Sequence, residues 1–406
     1  MTAGRPATVV LASDAFRGSL SSVEVAAAVR LGVLDAVPDA RVVVVPVADG
    51  GEGTVAAALA AGWRAVPVDV HGPTGEPVVA TVALEPVEAG AGRGGRVLVE
   101  LADACGLQRL PEGVPAPLTA SSRGLGEAVR AALDLGAAEV VVGVGGSAST
   151  DGGAGLLAAL GARLLDADGH HVPDGGAVLA RLAHLHLEGL DPRLSTTRVV
   201  LAADVDSPLV GPAGAAAVFA PQKGATARQV EVLAGALRHW AQVVATTLDR
   251  GPGATSPSDA AGMPGAGAAG GVGFALLAVL RAEHRSGVDV VLDLVGLDAA
   301  LTGSAPAGPG RADLVVTGEG ALDRQTLAGK AVSGVARRAA AHGIPVVAVC
   351  GRLDLDEAGL AALGVSAAYP LSDLEPDPRR SVPHAADLLR RTGQRVAREW
   401  LSREPG

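Results

Sequence analysis

Four short apolar runs constrain this fold most: "ATVVLAS" (7–13), "ARVVVVPVADG" (40–50), "ADLVVTG" (312–318) and "PVVAVCG" (345–351). They are rich in β-branched residues, too short for helices, and bounded by glycine or small polar residues, which predicts strands buried on both faces. Helical patterns fill the spaces between them. "SSVEVAAAVRLGVLDAV" (21–37) opens on a serine N-cap signal, "GTVAAALAAG" (53–62) follows the second strand, and further helices are expected near 329–342 and 382–401. Strands alternating with helices predict a parallel sheet covered on both sides.

The middle of the chain reads differently. After "GPTGEPV" (72–78), "VVATVALEP" and "GRVLVELA" succeed each other with no helix between, which predicts antiparallel pairing. A helix at about 123–135, the strand "AEVVVGV", the helix "AGLLAALGA", the strand "TRVVLAADV" (197–205) and a long amphipathic helix (226–248) follow. The Gly/Ala/Pro-rich stretch 251–273 reads as a glycine loop opening the helix "FALLAVLRAEH". At 406 residues the chain exceeds one ordinary core, and its 49% apolar content can fill two. The expected architecture is two α/β domains. One is a discontinuous parallel-sheet domain of residues 1–72 and 288–406. The other is an inserted mixed-sheet α/β domain over 73–287, with the active site in the cleft between them.

Composition narrows the function classes. A net charge of −10, no basic stripe and 2% aromatic residues argue against nucleic acid as a partner. No apolar run reaches the roughly 18–20 residues of a membrane span, and the start "MTAGRPATVVLAS" enters a strand without a secretory pattern. Cys105 and Cys350 stand far apart with no CxxC, so a reducing cytoplasm is expected and a disulfide or zinc framework is not. The oligomeric state is left open, a homodimer among the options. Of 33 basic residues, only Lys223 and Lys330 are lysine; asparagine is absent and Ile344 is the single isoleucine. A genome that avoids AT-rich codons replaces lysine with arginine wherever a fork will serve. The two survivors therefore mark places that need a compact ammonium.

Four loops at strand ends carry charge: "SDAFRGS" (13–19), "ADGGEGT" (48–54), "ADVDSPL" (203–209) and "TGEGALDRQT" (317–326). In open α/β sheets that edge is where ligands bind. One acidic turn is ordinary capping, but four suggest a site. Asp49, Glu52, Asp204, Asp206, Glu319 and Asp323 offer hard oxygen ligands suited to Mg²⁺, while His170–His171 reads as a solvated turn. The fifth loop, "VGVGGSASTDGGAG" (142–155), follows a strand and opens a helix, as phosphate-binding loops do. It lacks the Walker A frame. Gly143, Gly145 and Ala148 fit a dinucleotide GxGxxA with Asp166 about 20 residues on, yet three hydroxyls and Asp151 suit a phosphoryl group with its Mg²⁺ better. From the residues alone the chain is a Mg²⁺-dependent enzyme acting on a small phosphorylated or acidic molecule.

The same stretches resemble the bacterial glycerate kinase family, type I. The resemblance rests on "SDAFRGSLSSVEVA", "VPVADGGEGT", "GVGGSASTDGGAG", "DVDSPLVGPAGAAAVFAPQKGAT", "PGAGAAGGVG" and "DLVVTGEGALDRQTLAGKA", in order over about residues 8–351. It implies ATP- and Mg²⁺-dependent phosphorylation of D-glycerate, with 2-phosphoglycerate the favoured product. It also implies a flavodoxin-like domain and an inserted domain likened to restriction endonucleases. By that resemblance Arg17 and Ser19, with Asp14 and Gln325, would hold glycerate, a guanidinium being a bidentate partner for its carboxylate. Gly145, Gly146, Ser147, Ser149, Thr150, Asp151 and Gly152 would hold the ATP phosphates. Asp204 or Asp49 would orient or deprotonate the attacking hydroxyl, Lys223 and Lys330 would neutralise the transferring group, and Glu319, Asp323 and Glu52 would bind Mg²⁺. The family usually reads DSFKGS where this chain has Ala15 and Arg17, and has asparagine where it has Thr150 and Ser207. Two other readings stand beside this one: an NAD-dependent hydroxy-acid oxidoreductase, and a non-enzymatic sugar-acid-binding protein.

Overall fold

Along the strand Thr8–Ser13 alternate side chains enter different cores. Val10 and Ala12 join Val45, Val288, Val332 and Val346, whereas Val9 and Leu11 join Val25, Val29, Leu389 and Val396. A strand feeding both faces this way is the centre of a doubly covered sheet. The computed structural model describes residues 5–16, 18–48, 50–86, 94–248, 257–304, 310–328 and 331–401. Among these, 5–48, 56–61 and 288–401 form one compact unit, and 50–55 with 62–287 form a second.

The first unit has five parallel strands, ordered Ala367–Pro370, Val346–Leu353, Leu314–Leu322, Thr8–Ser13, Arg41–Val44. Counted along the chain this is 2-1-3-4-5, the flavodoxin-like order, with its switch point between Thr8–Ser13 and Leu314–Leu322. The helix Ser22–Ala36 starts on a capping box: Ser21 Oγ accepts from Glu24 N (3.3 Å), and Ser21 N donates to Glu24 Oε2 (2.8 Å). Its Gly32 lies so close to the helix Ala385–Trp400 that a Cβ would sit 1.9 Å from the Arg390 carbonyl oxygen. That contact accounts for a mid-helix glycine, which otherwise costs about 1 kcal/mol.

The second unit has a six-stranded sheet, ordered Glu283–Arg285, Arg198–Ala202, Glu139–Gly143, Arg96–Glu100, Pro77–Leu84, Arg64–His71. The first four strands are parallel; the last two pair antiparallel with their neighbours. This is the change of texture visible in the sequence, but it starts earlier. Arg64–His71 pairs along its whole length with Pro77–Leu84. The stretch expected to close the first domain at residue 72 therefore belongs to the second unit, as does 50–55. The long helix Ala227–Leu248 buries Leu233, Leu237 and Trp240 in this unit's core. No helix among the described residues is long and apolar enough to cross a membrane.

Candidate active site

In the second unit three glycine-rich loops meet near the carboxyl ends of the parallel strands. The loop after Glu139–Gly143 is pressed by Gly50–Gly51: a Cβ on Gly145 would lie 2.5 Å from Gly51 Cα. From the other side comes the turn Ala269–Gly271, whose three residues all have positive φ. Gly152 N donates to Gly270 O (3.0 Å), and a Cβ on Gly270 would lie 2.2 Å from Ser149 O. Backbones this close exclude side chains, so the glycines are needed for approach and not only for turning. "PGAGAAGG" is thus the partner of the central glycine loop.

Within that loop exposure divides sharply. Gly146 is exposed and Gly145 half-buried, whereas everything from Ser147 to Gly153 is buried. Asp151 is 0% exposed. Its Oδ2 accepts from Ser122 N and Ser122 Oγ (both 2.8 Å) and from Gly155 N (3.2 Å), and Oδ1 accepts from Gly153 N (3.1 Å). Burial pushes its carboxyl above the usual range, and these donors oppose the rise. The carboxylate ties the start of the helix Arg123–Asp134 to that of Ala154–Ala159, which is a capping role. Ser147 Oγ meets Ser149 O (3.1 Å), Ser149 Oγ (3.3 Å) and Ala269 O (3.4 Å). Thr150 Oγ1 has no partner among the described residues. The hydroxyls expected to reach a phosphate therefore face inward, because the surrounding loops close over them. The accessible part is the backbone of Gly145 and Gly146.

Lys223 is buried as well. Its Nζ donates to the Ser149 carbonyl and to Ser147 Oγ (3.3 Å), and burial pushes its pKa down to about 8 against the pull of Asp151. Three further groups are not among the residues singled out from the sequence. Ser122 holds Asp151. Trp240 donates Nε1–H to Gly152 O (3.0 Å). Glu100, at the end of its strand, accepts from Gly53 N (3.0 Å) and Val55 N (2.9 Å), anchoring the "DGGEG" loop; burial pushes it up to about 7. An acid closing an apolar strand is the same signal that marked the other loops, and it was available in "LVELA". Asp204 is exposed, its Oδ1 accepting from Ser286 Oγ and Gly287 N (both 2.8 Å); Asp206 and Glu52 are exposed too.

In the first unit the switch point gathers two of the predicted loops. Asp14 N (2.9 Å) and Ser13 Oγ (3.1 Å) both donate to Gly318 O. Beside them Glu319, 7% exposed, accepts from the Thr326 hydroxyl. Thr326 Oγ1 in turn accepts from Asp323 N (3.1 Å), and Asp323 Oδ1 accepts from Gln325 N (2.7 Å). One turn therefore holds Glu319 and Asp323 together, with the Gln325 side chain outward. Asp14 Oδ1 accepts from Ala15 N (2.7 Å), and Ser19 Oγ donates to Val382 O (3.1 Å). Arg17, Asp49 and Lys330 lie outside the described residues.

The donor chemistry fits a hard cation. Mg²⁺ is held by one or two carboxylates completed by phosphate oxygens, and Glu319 with Asp323 offers such a pair. Among the described residues one trio has full ligand spacing, Asp166, Asp168 and His170. Asp166 is committed there to the amides of Asp168 (3.1 Å) and His170 (3.0 Å) and to Arg181 (3.3 Å). Asp166 also follows Arg163–Leu165, a strand of a separate two-stranded sheet. It is therefore not the ribose-binding acid of a dinucleotide fold, which closes the next strand of the main sheet.

The glycerate kinase family matches residues 9–401. The chain is 39% identical over 390 residues to the glycerate kinase of Bacillus subtilis (strain 168), covering 96% of each protein. It is 40% identical over 362 residues to the glycerate 2-kinase of Escherichia coli (strain K12), covering 89% of each. A crystal structure from Salmonella typhimurium LT2, of a protein provisionally named glycerate kinase 2, superposes with a TM-score of 0.80. The sequence identity is 39%, and the match covers 97% of this chain and 98% of that one.

Proposed function

The chain belongs to the glycerate kinase family, and on that premise we propose that it transfers the γ-phosphoryl group of ATP to the C2 hydroxyl of D-glycerate, with Mg²⁺. The observation that carries the reading is the family match from residue 9 to residue 401, which takes in every strand-end loop described above. The choice of C2 is supported by the likeness to the Escherichia coli protein named glycerate 2-kinase.

In the proposed reaction the hydroxyl loses its proton as its oxygen bonds to phosphorus. The bond from that phosphorus to the bridging oxygen breaks, and ADP leaves with the electron pair. Such a transfer asks the protein for positioning and for charge placed in advance. The accessible backbone of Gly145 and Gly146 would cradle the phosphates, at the head of a loop whose remainder is buried. Glu319 and Asp323 would hold the cation, with Glu52 a further oxygen ligand. When bound, a divalent cation neutralises the phosphate charge and fixes its geometry. Asp204, or Asp49, would orient the attacking hydroxyl and receive its proton. Lys330 would lie over the developing charge. Asp14, Arg17, Ser19 and Gln325 would hold the acid, with Arg17 on its carboxylate. Ser19 would first have to leave the Val382 carbonyl.

The test is purified protein with ATP, Mg²⁺ and a panel of small hydroxy acids, with ADP release measured and the product read by phosphorus NMR. ADP formation with D-glycerate and a phosphate on C2 are expected. No turnover of D-glycerate would overturn the activity, and phosphate on C3 would overturn the regiochemistry.

A further inference from the structure

Lys223 sits where the central glycine loop and the left-handed turn Ala269–Gly271 press on each other. The ammonium meets Ser149 O and Ser147 Oγ, and the backbone of Gly270 lies close by: a Cβ on Gly270 would lie 3.0 Å from Nζ. The side chain is 3% exposed, so its charge is turned away from solvent and toward the root of the loop. A guanidinium is a larger, planar fork, and the place is enclosed. That explains lysine here in a chain that otherwise prefers arginine.

We propose that Lys223 is a positioning residue. It ties the Ser149 carbonyl and the Ser147 hydroxyl into the shape that presents Gly145 and Gly146, and it does not itself meet the transferring phosphoryl group. This rests on the reading of the loop as a phosphate cradle. The geometry carries it: two of the ammonium's three donors are spent on a carbonyl and a hydroxyl of the loop, and a side chain only 3% exposed is turned away from any ligand in solvent. The titratable groups whose charge acts on Nζ are Asp151 and Cys105. Asp151 is saturated by its four donors, and burial pushes the Cys105 thiol up to about 12, so it stays neutral. Lys223, with a pKa near 8, is then the group in this cluster whose charge changes in mildly alkaline solution.

The experiment compares wild type with Lys223→Met, which keeps the length of the side chain and removes the charge. Hydrogen–deuterium exchange of the peptide covering residues 143–155 is the first readout and needs no turnover. It should rise about 10–100-fold in the variant, the worth of a charge-assisted hydrogen bond. KM for ATP should rise by about the same factor, with KM for D-glycerate nearly unchanged. In wild type, kcat/KM for ATP should fall as pH rises through about 8, and this limb should vanish in the variant. Unchanged exchange in Lys223→Met would overturn the proposal. So would a collapse of kcat with KM and exchange untouched, which is the signature of a group on the phosphoryl itself. If the variant does not fold, wild type alone decides: loop exchange, corrected for its chemical rate, must increase through pH 8, and a flat profile overturns the assignment. Failure of ADP formation with altered exchange would reject the kinase reading while leaving the positioning role in place.

Discussion

Asp151 and Glu319 occupy similar places in the sequence, each an acid among glycines near the carboxyl end of a parallel strand, one in each unit. Asp151 is fully enclosed and accepts four hydrogen bonds, three of them from backbone amides that begin helices or precede them. Glu319 keeps some access to solvent and takes the Thr326 hydroxyl within a turn that also holds Asp323. The difference teaches that the local pattern, carboxylate after strand after glycine, does not by itself distinguish a fastening from a ligand. What differs is the kind of group that meets each: backbone amides at helix starts for Asp151, the hydroxyl of a neighbouring turn for Glu319. A carboxylate saturated by amides serves the backbone. The function proposed above gives Glu319, in a turn it shares with Asp323, to a cation instead.

The sharpest way to break this contrast is to remove both acids in turn. Asp151→Ala should destabilise the second unit by about 3–5 kcal/mol, the scale for uncovering a buried charged network. Thermal melting measures this, and the fraction that stays folded should retain its turnover. Glu319→Gln should behave in the opposite sense. Its melting should be nearly unchanged, and kcat should fall about 10²–10³-fold, as for a group acting on transition-state charge. If Asp151→Ala melts normally but loses turnover, Asp151 is a ligand and the contrast fails.

The order of these roles was only partly legible in the chain. The doubly covered parallel sheet was, because its strands are apolar on both faces and its helices carry their own caps, as Ser21 and Glu24 show. The boundary at residue 72 was not. "RAVPVDVH" follows a helix just as a further parallel strand would, and only pairing with Pro77–Leu84 assigns it to the other sheet. The glycine loop was legible as a loop made for close approach to a phosphate, not as one packed against other backbone, and lysine scarcity singled out Lys223 without showing that it is buried. Asp151 could not be assigned, since Ser122, which holds it, lies 29 residues away. Trp240, 88 residues from its partner Gly152, carries no local signal beyond its place on an amphipathic helix.

A smaller effect should appear at Glu100, which fastens the "DGGEG" loop through two amides. Its pKa rises from 4.5 to about 7 in the folded chain. The folded state therefore holds this proton more tightly than the unfolded one. Its contribution to stability is complete below pH 4.5 and is lost as pH rises through 7. The full span is roughly 3.4 kcal/mol, about 2.5 pH units at 1.36 kcal/mol each. Melting of the second unit should therefore show a downward slope between those values, and Glu100→Gln should flatten it. An unchanged slope in the variant would show that another group carries the dependence.

The least effect tests whether the second unit stores strain where the first does not. Among the described residues the non-glycine positions with positive φ are Glu112, Ala269 and Arg281, all in the second unit. Ala269, at φ 53, stands between the glycine loop and the two glycines that follow it in the same left-handed turn. A left-handed alanine costs about 1–2 kcal/mol. Glycine would relieve that but would add about 0.4–1 kcal/mol of freedom to the unfolded chain. Ala269→Gly should therefore stabilise the unit by about 0.5 kcal/mol, the balance of those two contributions. Gly270→Ala, one residue on, should do the reverse and more strongly, since its Cβ would meet Ser149 O at 2.2 Å. Chemical denaturation of both variants resolves the difference. If Ala269→Gly instead destabilises by more than it was expected to gain, the methyl is there for packing. The turn would then be held by contacts and not in spite of its backbone, and the second unit's loop edge would be no more strained than the first's.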